Sequence, residues 1–515
     1  MTRAFVVLVA LLLSAIPVAF AQDASGETGD DLLGGFEESE AEGDEVEDLL
    51  GGFEDETEAA PPLAKEPVPG LNGEGPGGIS GDEDSLLPKA LSGSVGFDLS
   101  YAYAQDAPTT TQHPDWRGVR KARSFVQLKW DDRYGGVRVF IDTKASYDTA
   151  PDPLSSSKRN SLSSAFRNEY EEARKPVVQE AEFREAFVQF SPLEFLDVTL
   201  GRQIIAWGML DSLTVLDVLN PRDNREPGLV DLEDIRLPVT ATRLDFFLAN
   251  FQLQLAALHE IRFHKESRFG SEFYYYPDAV NFTGTQNQLA FLTEDIPTHG
   301  GANTEYGIAL KGFFSGWDGT LHYADVFEDA AHYAVPSPLS SSTPTRRKHA
   351  RLTLVGVGVN VAAGSWLLKG EVAGIRGLRF FGNERDYSRS DAALGVEYSG
   401  ITDVTLGAEV SYQHLNEFDQ LPSNSLTATV ERGIVQSILS WRQDFLQQTL
   451  HLNALLLHFG RTGDKGGSRR LGLNYDWSDG LSVGGGLLAY TSGDNDIARQ
   501  FDKNDRLFTQ LTYAF

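Results

Sequence analysis

Arg202, Trp207, Asp217, Asn220, Arg222 and Asp223 gather the polar side chains best able to act on a solute into one stretch, Gly201 to Asp223 (GRQIIAWGMLDSLTVLDVLNPRD). Their types and spacing form no nucleophile–base pair and no set of metal ligands. Guanidinium, amide and carboxylate groups strung along one segment suit instead the lining of a passage, where they would orient or select what goes through. A hydrolase would need a Ser/His or Asp/His set held in reach of a substrate. His113, His264, His299, His349 and His414 lie near long connections, and no Ser or Asp neighbour of theirs stands out. We expect no catalytic residue, no cofactor and no metal.

The elements that must position this stretch alternate strictly. Leu91, Gly93, Val95, Phe97, Leu99, Tyr101 and Tyr103 share one face, and Ser92, Ser94, Gly96, Asp98, Ser100 and Ala102 the other. A period of two with one apolar and one small or polar face describes a strand with lipid outside and water inside. Further strands follow near 119–131, 134–147, 178–191, 194–206, 238–249, 251–264, 303–315, 317–327, 349–362, 365–377, 391–399, 402–414, 430–442, 446–459, 469–477, 481–491 and 506–515. A sandwich could alternate in the same way, so the connections decide. Long ones (105–118, 148–177, 207–237, 265–302 and onward) take turns with tight ones at Asp132-Arg133, Pro192-Leu193, Asn250, Gly316, Gly364, Gly400-Ile401, Asp444-Phe445 and Asp479-Gly480. Short turns at one end and long loops at the other mark an all-β, transmembrane antiparallel β-barrel of about 18 strands, with 16 as the alternative. Aromatic residues near strand ends (Trp130, Trp366, Trp441, Tyr475, Trp477, Tyr490) suit interfacial girdles.

Several strands carry charges opposite their apolar face. Arg243 and Asp245 oppose Thr240, Leu244, Phe246 and Leu248. Glu260 and Arg262 oppose Phe251, Leu253, Leu255 and Ile261. Lys369 and Glu371 oppose Trp366, Leu368 and Val372, and Glu409 opposes Val404, Leu406 and Val410. Since a charge on the lipid face costs about 2–4 kcal/mol at the midplane, these should line the lumen. Arg202 conflicts, because it continues the face of Leu196, Val198 and Leu200; a bulge near Gly201 that re-aims it inward is the expectation, and a position above the bilayer the alternative. The loop 207–237 is rich in Leu, Val and Ile, with Leu213, Val215, Leu216, Val218, Leu219, Leu229, Val230, Leu232 and Ile235. Loops normally run over the surface with polar side chains, so this one should fold into the lumen and constrict it.

The ends of the chain give its address. Residues 1–21, with Arg3, an apolar run and Ala19-Phe20-Ala21, read as a signal peptide. Residues 22–90 hold 21 acidic and two basic residues, a large share of the net charge of −30, and read as a disordered acidic periplasmic tail. Within it Asp31–Glu37 recurs as Asp48–Glu54, so Leu32, Leu33 and Phe36 repeat as Leu49, Leu50 and Phe53. Two identical sticky motifs suit docking to a periplasmic or inner-membrane partner. The barrel, 91–515, ends with Tyr513 and a terminal Phe515, like the signal read by the barrel-assembly machinery. Arg346-Arg347-Lys348-His349 reads as a basic rim for phosphates of outer-membrane lipid and lipopolysaccharide. Strong acidity argues against nucleic acid, and the absence of Cys excludes disulfides and thiol chemistry.

Gly201-Arg202-Gln203, Trp207-Gly208 and Asn220-Pro221-x-Asp223 resemble a bacterial family of outer-membrane barrels of unknown function, which shares a G-R-Q, W-G, N-P-x-D segment after an early strand. The resemblance implies a porin-like protein of the Gram-negative outer membrane. It also implies, for some members, association with inner-membrane exporters of the resistance-nodulation-division type that move lipids. The expected function is a channel for a small or hydrophobic solute. The alternative is the outer-membrane docking component of a lipid-transport assembly, recruited by the tail motifs.

Overall fold

A computed structural model of the chain describes residues 88–108, 114–161, 164–230, 234–267, 270–274, 294–334, 346–380, 385–423 and 430–515. The signal peptide and both tail repeats, with Leu32, Leu33, Phe36, Leu49, Leu50 and Phe53, lie outside the described residues, as do Leu232 and His113.

In chain order the strands are β1 (Leu91–Ala102), β2 (Gly118–Tyr134), β3 (Val137–Asp148), β4 (Gln179–Leu193), β5 (Leu196–Gln203), β6 (Val239–Leu248), β7 (Phe251–Leu258), β8 (Glu294–Asp295), β9 (Glu305–Phe314), β10 (Trp317–Phe327), β11 (His332–Ala334), β12 (Arg346–Lys348), β13 (Arg351–Ala363), β14 (Trp366–Leu378), β15 (Tyr387–Ile401), β16 (Val404–Leu415), β17 (Gly433–Phe445), β18 (Leu450–Phe459), β19 (Gly467–Ser478), β20 (Leu481–Thr491) and β21 (Arg506–Ala514). β8, β11 and β12 form a small sheet of their own, and the other 18 strands form one sheet. Each strand of that sheet pairs antiparallel with its neighbour along the chain, and β1 closes on β21 from Ser94 opposite Ala514 to Ala102 opposite Arg506. Gly93 and Phe515 exchange two backbone hydrogen bonds of 2.9 Å at the seam. The fold is therefore a closed 18-stranded antiparallel barrel, which leaves no open edge to be satisfied in lipid.

The alternation sorts the faces as the sequence implies. Along β13, Val355, Val357, Val359 and Val361 point outward and are exposed, while Leu354, just before them on the inner face, is buried. Leu507, Leu511 and Tyr513 are likewise exposed on β21.

Several details differ from expectation. The β2–β3 turn is Gly135-Gly136, both at positive φ, so Asp132 and Arg133 stay in the strand. A Gly pair supplies the backbone that a tight hairpin needs, which outranks the Asp signal. The β17–β18 turn runs through Leu446, Gln447 and Gln448 at positive φ, where residue type gives no warning, and Asp444-Phe445 remain in β17. β7 stops at Leu258, so Ile261 is not a lipid-facing strand residue; it is buried in the connection that follows. Tyr490 faces the lumen, where its hydroxyl donates to the Pro227 carbonyl, and belongs to no girdle. The long connections hold helices that the sequence pattern does not announce: α1 (Ser156–Ser161), α2 (Ser164–Val178) and α3 (Asp496–Phe501).

Candidate functional site

Gly201 opens the site. Its φ is +126°, and a Cβ there would sit 2.3 Å from the Ala186 carbonyl oxygen, so only glycine fits. Arg202 consequently meets Glu182 and Glu260, each at 3.0 Å, instead of lipid. The β4–β5 register runs without insertion from Phe190 to Ala186, so the expected re-aiming is achieved by the glycine backbone and not by an extra residue at that point. The inserted residue lies one strand away, where the β3–β4 register slips between Asp142 and Thr143. It is Arg184, which bonds Asp234 of the loop at 2.8 Å. Gln203, buried, donates to the Ala241 carbonyl and ends the strand.

From there the chain enters the lumen, and its polar residues tie the loop together. Asn220 accepts from Ile205 N–H at 2.7 Å and donates to the Leu237 carbonyl at 2.8 Å, joining the outgoing and returning arms. Asp217, fully buried at its carboxylate, accepts from Trp207 N–H and from Arg236, with Arg222 at 3.6 Å. Asp223 holds Arg225 at 2.8 Å. The proline between Asn220 and Arg222 has no N–H to satisfy, and its carbonyl accepts from Leu237.

The apolar side chains of the loop lie on a bed of small residues. Trp207, Leu210, Val215, Leu216 and Leu219 pack with Ala256, Ala309, Ala324, Leu354, Ala373, Ile375 and Ala393 of the wall. Glycines deepen the bed. A Cβ on Gly307 would come within 2.7 Å of the Trp207 ring, and one on Gly356 within 2.4 Å of Leu216. The Trp207 indole N–H donates to Gln254 at 2.8 Å, and its ring lies 4.7 Å from His322.

Two wall carboxylates hold the tip of the loop. Glu371, buried on β14, accepts from the backbone N–H groups of Met209, Leu210, Val215 and Leu216 and from the Thr214 hydroxyl. Glu409 on β16 accepts from Asp211 at 2.8 Å, Ser212 at 3.1 Å and Leu213 at 2.8 Å. Lys369 bonds Asp211 at 2.8 Å. A carboxylate can take several backbone donors at once, and each charge-assisted bond is stronger than a neutral one.

The loop then crosses to the far wall. Arg225 reaches Glu180 of β4 at 2.8 Å. Glu226 bonds Lys121, with Arg123 at 3.4 Å, and a Cβ on Gly228 would lie 3.1 Å from Leu488 of β20. Burial pushes the Glu226 carboxyl up, but Lys121 and Arg123 outweigh it and hold it down at about 2. The segment is therefore a beam, fixed at β14 and β16 on one side and at β2, β4 and β20 on the other.

Most residues singled out from sequence turn out to hold this beam or the wall. Arg243 and Asp245 pair with each other at 2.8 Å, and Asp245 also accepts from Gln252 and Gln254. Arg262 joins Arg202 on Glu182 and donates to the Pro238 carbonyl. In the basic rim, Arg346 bonds Asp295 and Arg347 bonds Glu294, so two of its charges are already matched by protein. Sequence reasoning misses Glu182, Glu226 and Glu185, which accepts from Ile204 N–H at 3.1 Å, and it misses the bed. The signal for the bed is present, in the Gly356 and Gly358 positions between the outward valines of β13.

Above the beam, His264 accepts the Arg222 N–H at Nδ1, 2.9 Å, and burial, with Arg222 and His349, lowers it to about 4, so it is neutral. Burial raises Asp329 well above the ordinary carboxyl range and Glu328 to about 7. Below about 4.5 Glu328 is protonated whether folded or not, so no stability is lost. Between there and about 7 the folded chain keeps a proton that the unfolded chain releases. Stability of this connection thus falls as pH rises through that window and stays low above it. Limited proteolysis within 328–334, normalised to an unfolded peptide of the same sequence, should be faster at pH 8 than at pH 5. Equal rates would remove the buried acids from any role in holding the connection.

A family model described as "Protein of unknown function (DUF1302)" matches residues 109–515. No curated protein matches the chain. Among solved structures, Pseudomonas aeruginosa OccK11 (OpdR) is similar over 82% of this chain and 96% of its own, at 12% identity and a TM-score of 0.42. Acinetobacter baumannii OccAB2 covers 82% of this chain and 98% of its own, at 12% identity and 0.45. Salmonella typhi OmpF covers 82% and 97%, at 10% identity and 0.40. Similarity at these identities concerns the fold alone.

Proposed function

The chain belongs to the family described as "Protein of unknown function (DUF1302)", which supplies no activity to inherit, and we propose from the barrel itself that it is an outer-membrane channel for small or apolar solutes, narrowed by the loop 207–237. A closed barrel of this size fits the bacterial outer membrane. The observation that carries the proposal is the anchoring of the loop across the lumen by Glu371, Glu409 and Glu226. A barrel serving only as an anchor has no need of a beam within it. Val215 and Leu216 are buried where the loop turns on Glu371, so the loop is seated there by apolar side chains and satisfied backbone. Planar-bilayer recording of the refolded protein in KCl should show discrete steps. Deleting Leu213–Leu219 should raise the step size about two-fold or more. Steps of unchanged size in the deletion would take the constriction away from this loop, and a silent barrel in both forms would remove the channel.

A further inference from the structure

A second segment reaches the far wall beside the beam. It belongs to the connection that leaves β7, and it first runs parallel to the beam. Asn224 N–H donates to the Lys265 carbonyl at 2.8 Å, and Lys265 N–H donates to the Arg222 carbonyl at 2.9 Å. The Ser267 hydroxyl donates to the Arg225 carbonyl at 2.8 Å. Residues 270–274 then dock on the outer ends of β2, β20 and β21. Phe273, buried, packs edge-on to Phe501 of α3 and beside Tyr490, with the Arg506 guanidinium 4.6 Å from its ring centre. Asn504, itself buried, donates to the Glu272 carbonyl at 2.9 Å.

Glu272 is the centre of this dock. Its carboxylate bonds Arg506 at 2.7 Å and has Arg120 at 3.5 Å, and none of the three side chains is more than 9% exposed. Arg120 is the extra residue where the β1–β2 ladder slips between Ser100 and Tyr101, so a bulge aims it at Glu272. The dock and the beam share two wall residues. Tyr490 packs on Phe273 and donates its hydroxyl to Pro227. Arg506 bonds Glu272, and its charge also attracts Glu226 of the beam.

The two ends of the beam are held differently. At β14 the loop lies on the apolar bed and a buried carboxylate takes its backbone N–H groups. Residues 224–230 lie outside that bed. They are tied by side chains, Arg225 to Glu180 and Glu226 to Lys121, which can exchange these partners for water. We infer that residues 270–274 are a latch on this far end. When Glu272 leaves Arg506 and Arg120, residues 225–230 lift from β2 and β20, while the end on Glu371 stays seated. Segments with few buried apolar contacts open at the lowest free energy. One fixed and one releasable end give the loop two arrangements on the same wall. The use of the latch as a gate rests on the channel reading; its existence does not.

The chain has no cysteine, so single cysteines can report the two ends separately. Leu488 beneath the far end and Leu216 at the seated end are both 0% exposed. The test is alkylation of Leu488→Cys and of Leu216→Cys by a water-soluble maleimide, with the full chain in phosphatidylcholine nanodiscs. Each is measured with and without Glu272→Gln, a change at a residue whose partners Arg506, Arg120 and Asn504 all lie outside the beam. Glu272→Gln should speed alkylation at position 488 about ten-fold and leave position 216 unchanged. Phe273→Ala, which keeps the charges, should act in the same direction and serves if the first variant fails to fold. Unchanged rates at position 488 in both variants, or equal acceleration at 216 and 488, would overturn the latch. KCl conductance of the same proteins reads the channel separately. Steps with unchanged alkylation overturn the latch alone, and faster alkylation at 488 without steps removes the channel and leaves the latch standing.

Discussion

Glu371→Ala should at least double the single-channel conductance and cost on the order of 4 kcal/mol of stability, because one buried carboxylate satisfies four backbone N–H groups and a hydroxyl of the loop. Each buried donor left without an acceptor costs about 1–3 kcal/mol, and relaxation of the loop keeps the sum below the total of its parts. The barrel itself does not depend on this side chain, since the β13–β14 and β14–β15 ladders are made by backbone. The loop should therefore leave its bed while the wall stays closed. Glu371→Gln should fall between, since its amide offers one acceptor oxygen but turns an NH2 toward donors. Glu409→Ala should show the same direction with a smaller effect, because Glu409 is less buried and holds only Asp211, Ser212 and Leu213. Conductance in KCl and unfolding in denaturant, followed by gel mobility, read the two effects. A Glu371→Ala protein with wild-type step size would mean that the apolar bed alone seats the loop.

The barrel was legible because its rule is local. Side-chain alternation and the lengths of connections are both written along the chain, so the strand number and the direction of most faces follow without tertiary information. Loop 207–237 was legible as an interior segment for the same reason, since Leu216 and Leu219 have no place on a wet surface. What the residues do there was not. Glu371, Glu409 and Lys369 read as lumen charges, and nothing in their residue type says whether they meet a solute or the protein itself. Their partners are the loop's own amides and Asp211. Backbone donors carry no residue-type signature, so a carboxylate that caps them looks identical in sequence to one that faces water. Arg243 and Asp245 likewise satisfy each other. The bed was missed because small residues on the inner face read as mere polar-side filler. Gly307 and Gly356 take on meaning only when Trp207 and Leu216 are known to occupy the space above them.

Gly201→Ala should be strongly damaging for the addition of a single methyl group. The left-handed half of backbone space costs a non-glycine residue about 1–3 kcal/mol when it is forced there. The new Cβ would also lie 2.3 Å from the Ala186 carbonyl oxygen and 2.8 Å from the Phe187 Cα, both backbone atoms of the adjoining strand. Neither can move without breaking the β4–β5 ladder. The alternative is for residue 201 to return to ordinary strand geometry. That choice would carry Arg202 back onto the face of Val198 and Leu200, away from Glu182 and Glu260, and leave both carboxylates without their shared guanidinium. Either path costs on the order of 3–5 kcal/mol, through strain or through a charge facing lipid. The loss should appear as a lower unfolding temperature in the heat-modifiability assay and as less folded barrel in the membrane. Arg202→Leu in the same chain provides the control. If outward rotation of Arg202 is the route taken, the double variant should recover part of the stability lost by Gly201→Ala, since a leucine tolerates lipid. If backbone collision dominates, the double variant should be no better than the single one. A Gly201→Ala protein that melts with the wild type would show that the glycine conformation is not needed, and the whole account of how the G-R-Q segment turns Arg202 toward Glu182 would go with it.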